Sequence, residues 1–310
     1  MEKLGHRIAP LTDSGRVWVD LGHLERIFSS NDVVEMMRVV RNHPELSHHL
    51  VVPVIRTSMQ RPVMDAIIEW ARSEGSGVCI RVDGLTGLRD KARLVSDIVV
   101  ESRLPDDAID LVLDAQDLPL AISHDEMRGA FPLTHSARTW VVLAGSFPTS
   151  ITDMTPDDYE HRRERGEWTA WRDEIEVPGD WRRPIFGDYA TQPSIYTPSP
   201  AFPGSPTVRY SVAEEYIILR GRGGYGSVGA DYSQFIGHAR FLCQQPYYCS
   251  VTRTPGDDYV DRIASSGIGT GNLTTWRVAS LQRHLGVVAA QVAEFAPIFA
   301  SGNRPVQRTV

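Results

Sequence analysis

Charged residues close most of the short apolar runs in this 310-residue chain. Five of seven such runs end this way, at Asp20, at Arg56, at Arg81 with Asp83, at Asp114 with Gln116, and at Asp188 with Tyr189; another ends at Ser146. Gathered at one mouth, such a set has a definite chemistry. Arginine forks hold a phosphate or carboxylate through paired N–H donors, while a carboxylate serves as general base or metal ligand. Asp20, Arg56, Arg81, Asp114 and Asp188 are therefore the candidate catalytic residues. Asp20, Asp114 and Asp188 are candidate Mg²⁺ ligands, since Mg²⁺ needs only one or two protein carboxylates beside water and substrate oxygens. Apart from such a cation the site requires no cofactor. The competing reading is mutual salt bridging at the rim, with no ligand.

Other catalytic patterns are weak. His48, His49, His135, His161, His238 and His284 have no zinc-type spacing, and Cys243 and Cys249 lack a second cysteine pair. Gly145-Ser146-Phe147-Pro148 lacks the second glycine of a nucleophile elbow. Cys79 lies inside an apolar run and reads as a buried, inert thiol. Gly221–Gly226 (GRGGYG) fits G-x-G-x-x-G, a minor NAD(P)-binding reading, but helical periodicity resumes only near Asp231 and not directly after the glycines. Tyr189, Tyr196, Phe202, Tyr210, Tyr216 and Tyr225 interleave with Arg209, Arg220 and Arg222, the mixture of a recognition surface or of a small second core.

The elements that must position these residues follow from periodicity. Arg7–Leu11, Val17–Leu21, Val51–Arg56, Val78–Asp83, Ile109–Asp114, Trp140–Gly145 and Pro184–Tyr189 are continuous apolar runs, the pattern of strands covered on both faces. Asn31–Val40, Pro62–Ser73 and Leu88–Ser102 have helical spacing; Asp157–Asp173 reads as a long exposed helix with Trp168 and Trp171 on one face. Strand–helix units of roughly 30 residues predict right-handed βαβ crossovers. Six or seven of them predict a TIM-like (β/α) barrel, with an open doubly wound sheet as the alternative. Five prolines in Thr191–Pro206 force a looped excursion. Thr207–Ser211 and Glu215–Arg220 then read as a hairpin, and Asp231–Cys243 and Ala279–Phe299 as helices. The expected organisation is one domain over 1–300, comprising barrel repeats over 1–190, a Pro/Gly-rich excursion over 191–229 and C-terminal helices over 230–300, followed by a tail over 301–310.

Composition narrows the class without naming a reaction. Apolar residues are 42% and charged residues 23%, ordinary for a globular protein. Three cysteines make no disulfide framework, and no signal-like start is present, so a cytoplasmic location is expected. No apolar run approaches the length needed for a bilayer core of ~30 Å. A net charge of -7 argues against a general nucleic-acid coat, although nucleic acid stays open as a partner.

In order along the chain, VWVDL (Val17–Leu21), VVPVIR (Val51–Arg56), IRV (Ile80–Val82), IDLVLD (Ile109–Asp114), GSFP (Gly145–Pro148), RGEWTAW (Arg165–Trp171), FGDY (Phe186–Tyr189), VRY (Val208–Tyr210), IILRG (Ile217–Gly221) and GNLTTW (Gly271–Trp276), with Arg283-His284-Leu285, resemble the Beta protein family, named after a bacteriophage T4 protein. The resemblance spans nearly the whole chain. It implies a barrel-like α/β domain found in phages and bacteria beside mobile-element or phage-defence genes. It supplies no catalytic residue. It marks Asp20, Arg56, Arg81, Asp114, Glu167, Asp188, Tyr189, Arg209, Arg220 and Trp276 as fold-signature or site positions. Glu167, Tyr189, Arg209, Tyr210, Arg220 and Trp276 are the candidate ligand-binding residues. The family's usual opening strand and Lys/Gly/Glu-containing segment are absent, so the barrel is expected to be incomplete at its start, with Glu215–Arg220 one source of an eighth strand.

Two functions follow as expectations. One is a binding or effector component in conflict between phages and bacteria, recognising a protein partner, a second copy, or a small anionic or nucleotide-like ligand at the barrel mouth. The other is a nuclease- or phosphodiesterase-like hydrolase working through the strand-end Asp and Arg residues. Whether the chain is an enzyme stays open at this stage.

Overall fold

Apolar runs bounded by charge build the first part of the molecule strand by strand. The computed structural model describes residues 15–22, 24, 27–117, 124–156, 159–178, 181–195, 204–223 and 229–302. The Arg7–Leu11 run, Tyr196, Phe202, Tyr225 and Gly224–Gly226 lie outside them. The chain divides into two compact units, Met1–Ala115 with Ala121–Leu143, and Gln116–Leu120 with Ala144–Val310.

The first unit holds strands β1 (Gly15–Val19), β2 (His49–Arg56), β3 (Val78–Asp83) and β4 (Ile109–Asp117), and β5 (Thr139–Gly145) begins there. The pairs β1/β2, β2/β3 and β3/β4 are parallel. Between them run helices α1 (Ser30–Arg41), α2 (Arg61–Glu74) and α3 (Leu88–Ser102). Ser29 caps α1 in a reciprocal capping box with Asp32. Pro62 sits in the first turn of α2, and Gly75 ends that helix with φ +65°. Short helices α4 (His124–Ala130) and α5 (Leu133–Ser136) follow β4.

Successive strand residues point to opposite faces, so each strand sends a stack of side chains inward. Val52, Val54, Cys79, Val112 and Val141 form the apolar layer of that stack. Below it, buried Asp110 accepts from Trp18 Nε1 at 2.8 Å and from Arg138 Nε and Nη2 at 3.0 and 2.7 Å. Above it lies the charged layer described in the next subsection.

The larger sheet has the order β1-β2-β3-β4-β5-β7, where β7 is Ile185–Asp188. β1 and β7 are its edges, so the described strands make a six-stranded half-barrel and not a closed TIM barrel. Glu215–Arg220 does not supply the eighth strand. It is the central strand (β9) of a separate antiparallel sheet in the order β6-β9-β8, with β6 at His161–Glu164 and β8 at Thr207–Ser211. A tight connection pairs β8 and β9 as the expected hairpin, and such a connection cannot join parallel neighbours.

The second unit also corrects the helix assignments. Asp157–Asp173 is not one exposed helix: β6 is followed by helix α6 (Gly166–Ile175), and Trp168 and Trp171 are buried against Phe186, Val292 and Phe295. Charge on one side of that segment concealed an apolar side. Further on come α7 (Gln234–Cys243), α8 (Pro255–Ser266), which periodicity missed, α9 (Leu273–Glu294) and α10 (Ala296–Gly302). Val208, Tyr210, Ile217 and Leu219 of the hairpin pack with Phe235, Leu242, Ile263 and Trp276 of the helices. The opposite face of the hairpin buries Tyr216 and Ile218 against Phe147 and Met154.

Candidate functional site

The C-terminal ends of β1 to β4 bring Asp20, Arg56, Arg81, Asp83 and Asp114 together on one face. Register explains their pairing. Arg56 stands beside Arg81, and Asp83 beside Asp114, so like charges are neighbours and attraction runs diagonally. Arg56 Nε donates to both oxygens of Asp20 at 2.9 Å, and its Nη2 lies 2.7 Å from Oδ2. Arg81 Nη1 donates to Asp20 at 2.8 Å, while its Nε and Nη2 donate to Asp114 Oδ2 at 3.0 and 2.6 Å. Asp83 lies 3.8 Å from Arg56 and 3.9 Å from Arg81, and accepts from Ser58 Oγ at 2.7 Å. Burial pushes the Asp20 carboxyl up, but the Arg56 hydrogen bond and charge, the Gly22 amide and Arg81 outweigh it and hold it below the usual range. Three carboxylates thus enclose two guanidinium groups, the mutual salt bridging that sequence reading weighed against a ligand site.

A second network lies wholly within the second unit. Asp188, at the end of β7, accepts from His284 Nε2 at 2.6 Å and from the Ala190 amide at 2.9 Å. The other ring nitrogen of His284 meets Ser211 Oγ at 2.8 Å. Burial raises the Asp188 carboxyl, yet the His284 hydrogen bond and charge, the Ala190 amide and Arg165 bring it below its ordinary value. The Tyr216 ring stacks on His284 and donates through its hydroxyl to Glu167 Oε1 at 2.7 Å. Glu167 also accepts from Ser146 and lies 3.6 Å from Arg165 Nε. Arg165, fully buried, donates to the Val212 and Ala213 carbonyls and to Gln291 at 2.8 Å. A serine, an imidazole and a carboxylate in line resemble a nucleophilic triad. Here, however, Ser211 is completely buried in a strand and reaches no solvent, so the chain of bonds fixes β7 to α9.

The remaining sequence candidates are placed as follows. Tyr210 and Trp276 are core side chains. The Tyr210 hydroxyl donates to Asp257 at 2.8 Å, and Trp276 stacks on Phe235 with centroids 4.7 Å apart. Tyr189 is half-buried against Gly145, where a Cβ would stand 3.1 Å from its ring. Arg209 donates to the Thr191 carbonyl and lies 4.7 Å above the Phe147 ring. Arg220 donates to the Thr152 and Met154 carbonyls. Among the described residues no group of three or more His, Cys, Asp or Glu is placed to hold a metal ion; Asp20 and Asp114 accept from arginines and Asp188 from His284. Burial pushes the Cys79 thiol well up, in keeping with an inert group. Gly221 is a packing glycine: a Cβ there would lie 2.8 Å from Gln234 Oε1 and 2.9 Å from the Pro206 carbonyl.

Ser211, Arg165, Asp257 and Gln291 escaped sequence reading. For Gln291 the available signal was its seven-residue spacing from Arg277 and His284, which puts the three on one face of helix α9.

One buried group predicts a pH response. His238 lies against the Tyr159 ring at 5.2 Å, and burial lowers its pKa to about 4, against a small opposing effect of the Pro206 carbonyl. The folded value lies below the unfolded 6.5, so the unfolded chain takes up this proton first. Stability from His238 is complete above pH 6.5 and falls as pH drops from 6.5 towards 4, by about 2–3 kcal/mol. Urea unfolding should show this slope in wild type and its absence in His238→Leu; equal slopes in both would remove His238 as the cause.

No helix among the described residues is long and apolar enough to cross a membrane. The Beta protein family model matches residues 1–290. Neither a curated protein nor a solved structure matches the chain.

Proposed function

The chain belongs to the Beta protein family, and from that premise we propose that it is a non-hydrolytic binding or effector component in conflict between phages and bacteria, acting in the cytoplasm and recognising an anionic ligand. The observation that carries the non-hydrolytic part of this reading is the closure of the strand-end cluster on itself. Asp20 and Asp114 each hold a guanidinium donor at 2.6–2.9 Å. A general base needs a free lone pair aimed at substrate, and an anion clamp needs free arginine donors. Here carboxylates and arginines satisfy each other, which suits a stiff platform for recognition.

A phosphodiesterase and nuclease screen with Mg²⁺ and Mn²⁺ should show no turnover by wild type or by Asp114→Asn, while affinity capture of the tagged chain from its native host recovers a specific ligand or partner. Metal-dependent hydrolysis by wild type that Asp114→Asn loses would reverse the reading in favour of the hydrolase.

A further inference from the structure

In the second unit, helix α9 and the strand segment leading into and out of β8 lie side by side and run in the same direction. At one end Leu273 meets Gly204, where a Cβ would stand 3.2 Å from Leu273 Cδ1. In the middle His284 meets Ser211 at 2.8 Å, and at the far end Gln291 Nε2 donates to the Ala213 carbonyl at 2.9 Å. Arg277 is two helical turns before His284 on the same face, and Arg209 is two residues before Ser211 on the same strand face. The pairing that joins His284 to Ser211 therefore brings Arg277 beside Arg209. Burial, and then the charge of Arg277, lower the Arg209 guanidinium to about 10.

Among the described residues these cations lack the counter-charge that several other arginines of the unit have. Arg165, Arg172 and Arg283 each meet a carboxylate. Among the described residues, Arg209 and Arg277 form no ion pair: Arg209 has a carbonyl and a ring for company. Arg220 shares the face of Arg209, because its cross-strand partner Thr207 is two residues from Arg209. It too binds carbonyls, and its Nε approaches Ser205 Oγ at 3.5 Å. Ser205 and Thr207 hydroxyls lie 3.1 Å apart between these cations. In a chain of net charge -7, like charges left together repel, and a bound anion removes that cost.

We propose that Arg209, Arg277 and Arg220, with the hydroxyls of Ser205 and Thr207, form a binding site for the phosphate group of a small molecule. The site rests on the anion-recognition reading above and gives its ligand a chemical class. Guanidinium forks and hydroxyl donors match tetrahedral oxyanions. Three cations on an acidic protein suit a compact anion, whereas a nucleic-acid backbone draws on many phosphate contacts.

Calorimetric titration of the full chain with inorganic phosphate and with pyrophosphate tests the site. Saturable pyrophosphate binding is expected, stronger than phosphate binding, and weakened about tenfold or more in Arg277→Gln and in Arg209→Gln, the loss that follows from one charged hydrogen bond. Arg163→Gln, an exposed arginine paired with Asp153, should bind like wild type. If Arg209→Gln fails to fold, the exposed Arg277→Gln decides alone. Absence of saturable binding, or equal affinity in Arg277→Gln and wild type, overturns the site. So does tight binding of a single-stranded 20-nucleotide DNA that pyrophosphate does not displace. Hydrolysis of a phosphodiester with pyrophosphate binding intact overturns the non-hydrolytic reading alone; a captured partner without pyrophosphate binding overturns the site alone.

Discussion

Arg81→Ala is expected to cost about 3–5 kcal/mol of stability, the range for stripping one partner from a buried ion pair. Arg81 is the cation shared by Asp114, which is 1% exposed, and by Asp20. Without it Asp114 keeps a charge in a nearly dry layer above the valines of the half-barrel, and the diagonal pairing across β2, β3 and β4 loses its middle. Most of the penalty is the desolvated carboxylate left behind, so removing both charges should recover much of it. Urea unfolding of Arg81→Ala and of the double variant Arg81→Leu/Asp114→Leu measures both terms. The double variant should be markedly more stable than Arg81→Ala. A loss below about 1 kcal/mol in Arg81→Ala, the level of an exposed pair, would show that water reaches the cluster and that its charges are not locked together. That outcome would also reopen the rim to a ligand, so the stability measurement bears on function.

The same cluster shows what a sequence can carry. Asp20, Arg56, Arg81 and Asp114 were legible because apolar runs recur with charge at their ends, and parallel strands put equivalent ends at one mouth. Their mutual pairing was not, because it depends on register: a slip of one residue would send Arg81 to the opposite face. Asp188 was legible for the same reason, but its partner His284, and the Ser211 that His284 meets in turn, arrive from a helix and a hairpin with no local signal linking them. Tyr210 reads as part of a loop-borne recognition surface and Trp276 as a ligand-binding candidate by family resemblance, yet both point into the apolar core. On a strand, Tyr210 falls on the face opposite Arg209, and alternation alone does not say which face is covered. Trp168 and Trp171 share one face as their spacing requires, but the helix expected to be exposed is covered on that face, since the surrounding charge masked the apolar partners Val292 and Phe295, more than a hundred residues away.

His284→Ala is expected to destabilise the second unit by about 3–5 kcal/mol near pH 7, again the cost of stranding one member of a buried charged hydrogen-bonded pair, here together with a side-chain-sized void. His284 is wholly buried and bridges Asp188 and Ser211. The pH dependence separates the charge from the void. In wild type the Asp188 carboxyl lies below its ordinary 3.8, so its stabilisation is present above that value and disappears as pH falls through the lower folded value. In His284→Ala the largest influence on Asp188, burial, loses its main opposition and raises the folded value above 3.8. The buried carboxylate then destabilises the variant at neutral pH, and protonation relieves that penalty as pH falls towards 3.8. The difference between wild type and variant should therefore be greatest at pH 7 and shrink steadily down to about pH 3, leaving the part due to the void. Chemical unfolding at half-unit pH intervals gives both curves. A difference between wild type and His284→Ala that stays constant from pH 7 to pH 3 would mean that His284 is held for its volume, and that Asp188 owes it no electrostatic debt.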